Sequence, residues 1–405
     1  MQRLRTRALL WALVGAYIAF VAWELGNGYQ AARRGDTPRY TDFTSLYAAS
    51  LLVRRQAPED LYRPREMFRA TIDAAHAAYG PGLSDAQARR IGYAPWMYPP
   101  PFILVSAPLA ALPYLPAFFA WIVLTGMVYA AALRAILPSS AAPAAIAFAS
   151  PPAFFNLAYG QTGFLSGGLI GLGLALLQRR PVLAGVCIGL ASVKPHLGLL
   201  IPFALAAGGY WRSFATAGAT VLLLIVLSVV VLGADPWYGF IGTLLSHLDG
   251  FRAGAYTWSA MTSVLAAAHL AGLSLQTSWT LQTLATIGMI LLVVIVWRQG
   301  RRQPETHGVQ CAVLCLATPL AIPMAYLYDI CVIVPGAAWL WLDLKRNGGT
   351  PGEKLALLAL MAALLPAFLA AARLDLPLGT LALGGLTLLA SRRFALRASA
   401  LQHKA

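Results

Sequence analysis

Along most of the chain, apolar runs of about twenty residues alternate with short polar links, the spacing of helices that cross a hydrocarbon layer about 30 Å thick. Ala8 to Leu25 reads as a first span entering from the side of Arg3, Arg5 and Arg7, so that residues 1–26 form one uncleaved membrane helix. Residues 27–97 break the pattern and predict an external segment. Within it, one helix runs from about Asp42 to Arg55, a turn follows at Ala57-Pro58-Glu59-Asp60, and a second helix runs from Pro64 to Tyr79. Phe43, Leu46, Tyr47, Ser50 and Leu51 share one face of the first helix, which predicts that it lies along the membrane surface. From 98 to 405 the apolar runs resume as a multi-span bundle.

That bundle is interrupted in informative places. Tyr98-Pro99-Pro100-Pro101 suits the first turn of a span reaching Pro113, and Pro116 to Leu137 predicts the next. From Ser139 to Gln161, Pro143, Pro151 and Pro152 cut the sequence into pieces too short to cross, and a full span then reaches Gln178. Val182 to Ala207 is broken at Lys194-Pro195-His196, which predicts a helical break lining a polar cavity. A span from Phe214 to Leu232 leads to an expected external loop, Gly233 to Trp258, that holds His247 and in which Asp235, Asp249 and Arg252 read as solvated. Met261 to Leu273 reads as a short interfacial piece and Ser278 to Trp297 as a span, with four more spans between Val309 and Ala390. The expectation is an all-α integral membrane protein with about ten to twelve transmembrane helices, some broken.

Composition agrees with this reading. Of 405 residues, 59% are hydrophobic and 11% charged, far from the quarter or so of charged residues in a soluble domain. The formal charge of +15 sits mainly at span ends, as at Arg179-Arg180, Arg301-Arg302 and Arg392-Arg393. That distribution marks cytoplasmic links and contact with anionic headgroups, and it argues against a nucleic-acid partner. Cys187, Cys311, Cys315 and Cys331 fall within apolar runs with no metal-ligand spacing, so they read as packing residues and no metal site is expected.

Local pattern and basic flanks put Asp42, Gln161, Lys194, His196, Tyr326, Tyr328 and Asp329 on one external face. A carboxylate and a cation beside a lipid-facing cavity suggest a reaction on a membrane-bound anionic substrate. A lysine at membrane depth usually has a partner, and a phosphate would serve. Plainer readings stand beside these: Asp42 as a helix N-cap, Lys194 as a snorkelling residue, His196 as a structural histidine, and Tyr326 and Tyr328 as interfacial aromatics.

Tyr40-Thr41-Asp42-Phe43, Leu61-Tyr62, Tyr98-Pro99-Pro100-Pro101, Gly160-Gln161, and Arg180-Pro181 to Ala184-Gly185 with Lys194-Pro195 occur in that order. In this the chain resembles glycosyltransferase family 87, closely from Asp42 to His196 and beyond that as a pattern of spans. The resemblance implies a GT-C type helical bundle that transfers a hexose, with mannose the family expectation, from a polyprenyl-phosphate-sugar donor. The acceptor would be a lipid or glycan on the external face of a bacterial inner membrane, and transfer would invert the anomeric carbon with no cofactor besides the lipid-linked donor. It further implies Asp42 as general base and Lys194 as the group holding the donor phosphate, with Gln161 and His196 orienting the donor and Tyr326, Tyr328 and Asp329 as possible substrate contacts. A transporter or flippase of a lipid-linked substrate is the alternative, since a broken helix with a lysine suits it too.

Overall fold

The computed structural model describes residues 2–38, 41–91, 96–138, 143–252 and 256–402. Arg39, Tyr40, Ser139 and Lys404 therefore lie outside the described residues. Within them the chain is helical, with no strand beyond an isolated antiparallel bridge between Met261 and Tyr326. Four helices are long and apolar enough to cross a membrane: Arg7–Arg34, Tyr114–Ile136, Trp211–Leu232 and Leu275–Gly300. A fifth crossing is available if Pro351–Ala363 and Ala367–Leu374, bent by 59° at Leu364 to Pro366, act as one. The helix Trp211–Leu232 leaves Leu222, Leu223, Val226 and Val230 exposed, a surface that suits lipid and would be a liability in water.

Several expected spans are shorter than the bilayer requires. The run opened by Tyr98-Pro99-Pro100-Pro101 forms a helix over Pro101–Ser106 and a 3₁₀ turn over Ala107–Ala111. Pro108 has no N–H for the helical ladder, so an apolar run is not one continuous helix here. The run ending near Gln178 gives Gly163–Leu176, a helix of 14 residues, about 21 Å long. The break at Lys194 is present: Pro181–Leu190 gives way to 3₁₀ turns at Ala191–Val193 and Pro195–Gly198 before Ile201–Gly208 resumes the helix.

The chain divides into two compact units. The first comprises Met1–Thr125, Leu157–Gln161 and Val221–Ala255. In it the helix Asp42–Arg54 is no surface helix: Phe43, Leu46, Ala48, Ala49, Ser50 and Leu52 are buried, so nearly every side is covered. The small residues Ala48, Ala49 and Ser50 admit close neighbours. Ser50 donates to the carbonyls of Leu46 and Ser106, each at 2.7 Å. The second helix spans Pro64–Tyr79, as the sequence predicts. The expected loop after Leu232 is mostly helix, Asp235–Arg252. Its Trp237 indole donates to Ser228 Oγ at 3.1 Å, and Phe240 packs edge-on against Tyr62.

The second unit comprises Gly126–Asn156, Thr162–Thr220 and Tyr256–Ala405. Gly163, Gly167 and Gly171, four residues apart, form a ridge of bare backbone on Gly163–Leu176. A Cβ at Gly167 would lie 2.9 Å from the carbonyl carbon of Cys331, and one at Gly171 would lie 2.8 Å from Pro335. The ridge therefore lets residues 328–335 approach the helix backbone itself, a packing that small residues favour where water is absent.

At the other end of this unit, Arg393 is buried with Asp343 and Glu353. Its guanidinium donates to Asp343 Oδ2 at 3.0 Å and to the Asn347 carbonyl at 3.0 Å, and lies 3.7 Å from Glu353. Thr350 and Glu353 form a capping box at the start of Pro351–Ala363, so one carboxylate serves both the cap and the arginine. Arg393→Met removes the nearest cation from two buried carboxylates, leaving Arg397 3.4 Å from Asp343 and the exposed Arg392 3.8 Å from Glu353, and should cost at most about 3–5 kcal/mol. Arg55→Met, which removes an exposed pair with Asp73, should cost about 1 kcal/mol or less. Unfolding midpoints in one detergent would check this, and equal shifts for the two variants would refute the assigned role of Arg393.

Candidate active site

Asp42 is not a helix cap. Thr41 holds the cap position with extended backbone, φ −120° and ψ 145°, and Asp42 is the first helical residue. The Thr41 hydroxyl is turned instead toward Thr44 Oγ1 and the Tyr114 hydroxyl, each at 3.2 Å, and Thr44 and Tyr114 are themselves 2.9 Å apart. This leaves the Asp42 carboxylate, half-buried, with Gln161: the amide Nε2 donates to Asp42 Oδ2 at 3.0 Å.

Gln161 is held from three directions. Its Oε1 accepts from the Tyr98 hydroxyl at 2.5 Å, its backbone carbonyl accepts from the Trp121 indole at 3.3 Å, and its Nε2 faces Asp42. An ionised carboxylate can only accept, whereas a phenol can donate, so the chemistry of the two neighbours fixes which way the amide points. The turn that delivers Gln161 requires the residue before it. Gly160 has φ +66°, and a Cβ there would fall 2.6 Å from Phe43 Cβ and 2.8 Å from Phe118. Both the left-handed backbone and the contact exclude a side chain.

The other motifs of this unit meet at the same place. Tyr62 donates its hydroxyl to the Tyr98 carbonyl at 2.8 Å. Burial raises the pKa of that phenol, so it stays a donor. Tyr98 packs on Phe102 with ring centres 4.5 Å apart, and Trp96 stacks on Phe102 at 5.7 Å. Leu61-Tyr62, Tyr98 to Pro101 and Gly160-Gln161 are therefore a scaffold around Asp42. Sequence reasoning placed Tyr98 only at a helix start and did not mark Tyr62, Tyr114 or Trp121 as parts of the site. A hydrogen bond spanning 63 residues, as between Tyr98 and Gln161, leaves no local signal.

The second unit holds the remaining candidates together. Lys194, at the joint between two 3₁₀ turns, pairs with Asp329, and both are buried. His196 Nε2 lies 3.9 Å from the other oxygen of Asp329 and makes no hydrogen bond. The Lys194 ammonium also sits 4.9 Å from the centre of the Tyr328 ring, which stacks on Tyr326 at 5.3 Å and 12°. Residues 325–327 are clasped by backbone bonds, Thr262 N–H to the Ala325 carbonyl at 2.7 Å and Leu327 N–H to the Ala260 carbonyl at 3.1 Å. The partner that a lysine at this depth requires is thus supplied within the chain by Asp329. Among the described residues, no three His, Cys, Asp or Glu side chains converge as metal ligands would.

These features define a helical integral membrane protein whose polar side chains gather around a carboxylate in one unit and a lysine–aspartate pair in the other. Residues 96–323, more than half of the chain, match the family model of glycosyltransferase family 87, a family of GT-C type, and the chain belongs to that family. It is a membrane glycosyltransferase. No curated protein and no solved structure matches it.

The Lys194–Asp329 pair gives a direct expectation. Lys194→Met strands a buried carboxylate and should cost about 3–5 kcal/mol, whereas Lys194→Met combined with Asp329→Leu should recover most of that loss. Unfolding midpoints of the two single variants and the double would read the coupling. Additive losses would show that the pair does not act as a unit.

Proposed function

We propose that the protein transfers a single hexose, with mannose favoured by the family resemblance, from a polyprenyl-phosphate donor to a glycolipid or glycan on the external face of a bacterial inner membrane. The observation that carries this reading is the Asp42 carboxylate held by the Gln161 amide at 3.0 Å. The amide donor fixes the direction of the carboxylate. Asp42 then takes the proton of the acceptor hydroxyl as the acceptor oxygen attacks the anomeric carbon. The bond from that carbon to the donor oxygen breaks with inversion, and polyprenyl phosphate leaves with the electron pair. Gln161 is a positioning residue.

Lys194 is assigned the donor phosphate. Asp329 fixes the place of its ammonium, which would face the charge of the leaving phosphate. His196 orients the same phosphate, and the stacked pair of Tyr326 and Tyr328 offers an aromatic face to the donor. The reaction as proposed draws on no cofactor beyond the lipid-linked sugar.

Membranes containing the chain, supplied with labelled polyprenyl-phosphate hexoses, should pass label into a new glycolipid or glycan. Asp42→Asn should slow transfer by about 10²–10⁴-fold at matched expression. Transfer by Asp42→Asn at the parent rate would remove the general-base assignment. Movement of the labelled donor across the bilayer without any transfer would favour lipid translocation.

A further inference from the structure

The end of the second unit that holds Arg393 carries more positive charge than its own carboxylates balance. From Asp343 to Lys354 and from Arg392 to Arg397, the six cations Lys345, Arg346, Lys354, Arg392, Arg393 and Arg397 stand against two carboxylates, Asp343 and Glu353, which leaves four positive charges over. Arg393 and the Asn347 amide hold Asp343 at 3.0 and 2.7 Å, and the capping box with Thr350 takes Glu353 Oε2. The other two arginines stop short. Arg397 Nε lies 3.4 Å from Asp343 without a hydrogen bond, and Arg392 Nη1 lies 3.8 Å from Glu353.

The place of these cations in the fold restricts what can balance them. The helices Pro351–Ala363 and Leu378–Gln402 run antiparallel, since a Cβ at Gly385 would lie 3.0 Å from Leu360 and, seven residues further along one helix and seven back along the other, Arg392 faces Glu353. Over that stretch both helices turn leucines outward: Leu355, Leu358 and Leu388 are each more than half exposed. Surfaces so bare suit acyl chains. The helix Leu378–Gln402 carries no charge up to Ala390 and is basic from Arg392, so that uncharged stretch ends where the cations begin, as at the edge of a hydrocarbon layer. Leu388 and the exposed Arg392 are four residues apart and share one face of that helix. An apolar track closed by a guanidinium matches the two parts of a phospholipid. A phosphate can accept from a guanidinium through two oxygens at once. A zwitterionic headgroup brings its own cation and leaves the surplus standing, whereas an anionic one reduces it.

We propose that this end of the second unit is a binding site for an anionic phospholipid, whose phosphate lies on Arg392 within the field of the other surplus cations and whose acyl chains cover Leu355, Leu358 and Leu388. The lipid is a ligand and not a substrate, and Asp42 and the Lys194–Asp329 pair take no part in holding it. It relieves the mutual repulsion of the cations, and so stabilises the packing of the last long helix.

The test uses the full chain in detergent, with phosphatidylglycerol, phosphatidylcholine of the same acyl chains and inorganic phosphate as probes. Retained lipid is read by native mass spectrometry, and stability by the unfolding midpoint. Phosphatidylglycerol should be retained saturably and raise the midpoint, and neither phosphatidylcholine nor inorganic phosphate should match it. Arg392→Gln should weaken phosphatidylglycerol binding about fivefold, as loss of one basic side chain from an anionic surface does, and adding Arg346→Gln should weaken it about fivefold again. Both residues are exposed, so the midpoint without lipid should not move. Arg179→Gln with Arg212→Gln removes the same charge from two other exposed positions and should leave the binding unchanged. Absence of saturable retention, equal retention of phosphatidylcholine, or an equal midpoint shift with inorganic phosphate would overturn the proposal. So would an equal loss in the Arg179 and Arg212 variant, which would reduce the site to a diffuse attraction.

Discussion

The carboxamide of Gln161 reaches Asp42 because Gly160 carries the chain through a left-handed turn pressed against Phe43 and Phe118. Everything else in the first unit that bears on chemistry depends on that turn. Tyr98 and Trp121 fix the amide, Tyr62 fixes Tyr98, and the buried helix Asp42–Arg54 presents its first residue to the result. Each link is a neutral hydrogen bond worth about 1 kcal/mol. Their combined effect is directional: the amide has one orientation that satisfies a phenol and a carboxylate together, and so the carboxylate has one as well.

The second unit solves a different problem, that of keeping full charges out of water. Lys194 with Asp329, and Arg393 with Asp343 and Glu353, are buried in an apolar surrounding. Replacing such pairs by hydrophobic residues is often neutral or stabilising, so stability alone does not account for them. Arg393 joins the last long helix, Leu378–Gln402, to the carboxylates of two earlier ones. Lys194 joins a broken helix to the turn at Asp329, which is also clasped from Ala260 to Thr262 and laid on the Gly163 to Gly171 ridge. The Lys194 ammonium is thereby fixed on several sides.

Much of this was legible in the sequence wherever the signal is local. Prolines marked the breaks at Lys194-Pro195 and before Pro151, and Pro64 to Tyr79 proved to be the helix its pattern predicts. Gly160-Gln161 entered as a motif of the family resemblance, and the left-handed turn there belongs to the structure. What escaped was either long-range or masked. The partner of Lys194 stands 135 residues away, and no periodicity encodes it. The helix Asp235–Arg252 was hidden because Asp235, His247 and Asp249 look like loop residues, although Trp237, Phe240 and Leu244 keep helical spacing. Apolarity does not register where proline, as at Pro108, ends the ladder, so several apolar runs form short helices.

The first helix runs over 33 residues, about 50 Å at 1.5 Å per residue, while the hydrocarbon core is about 30 Å. It is longer than that core is thick, and its Gly28 rests on Tyr79 at the end of the helix Pro64–Tyr79. A long helix answers a thicker or thinner bilayer by tilting or sliding. Because this one rests on the helix Pro64–Tyr79, a tilt forced by bilayer thickness would load that contact, and lipid chain length joins lipid headgroup as a variable to which the protein is exposed.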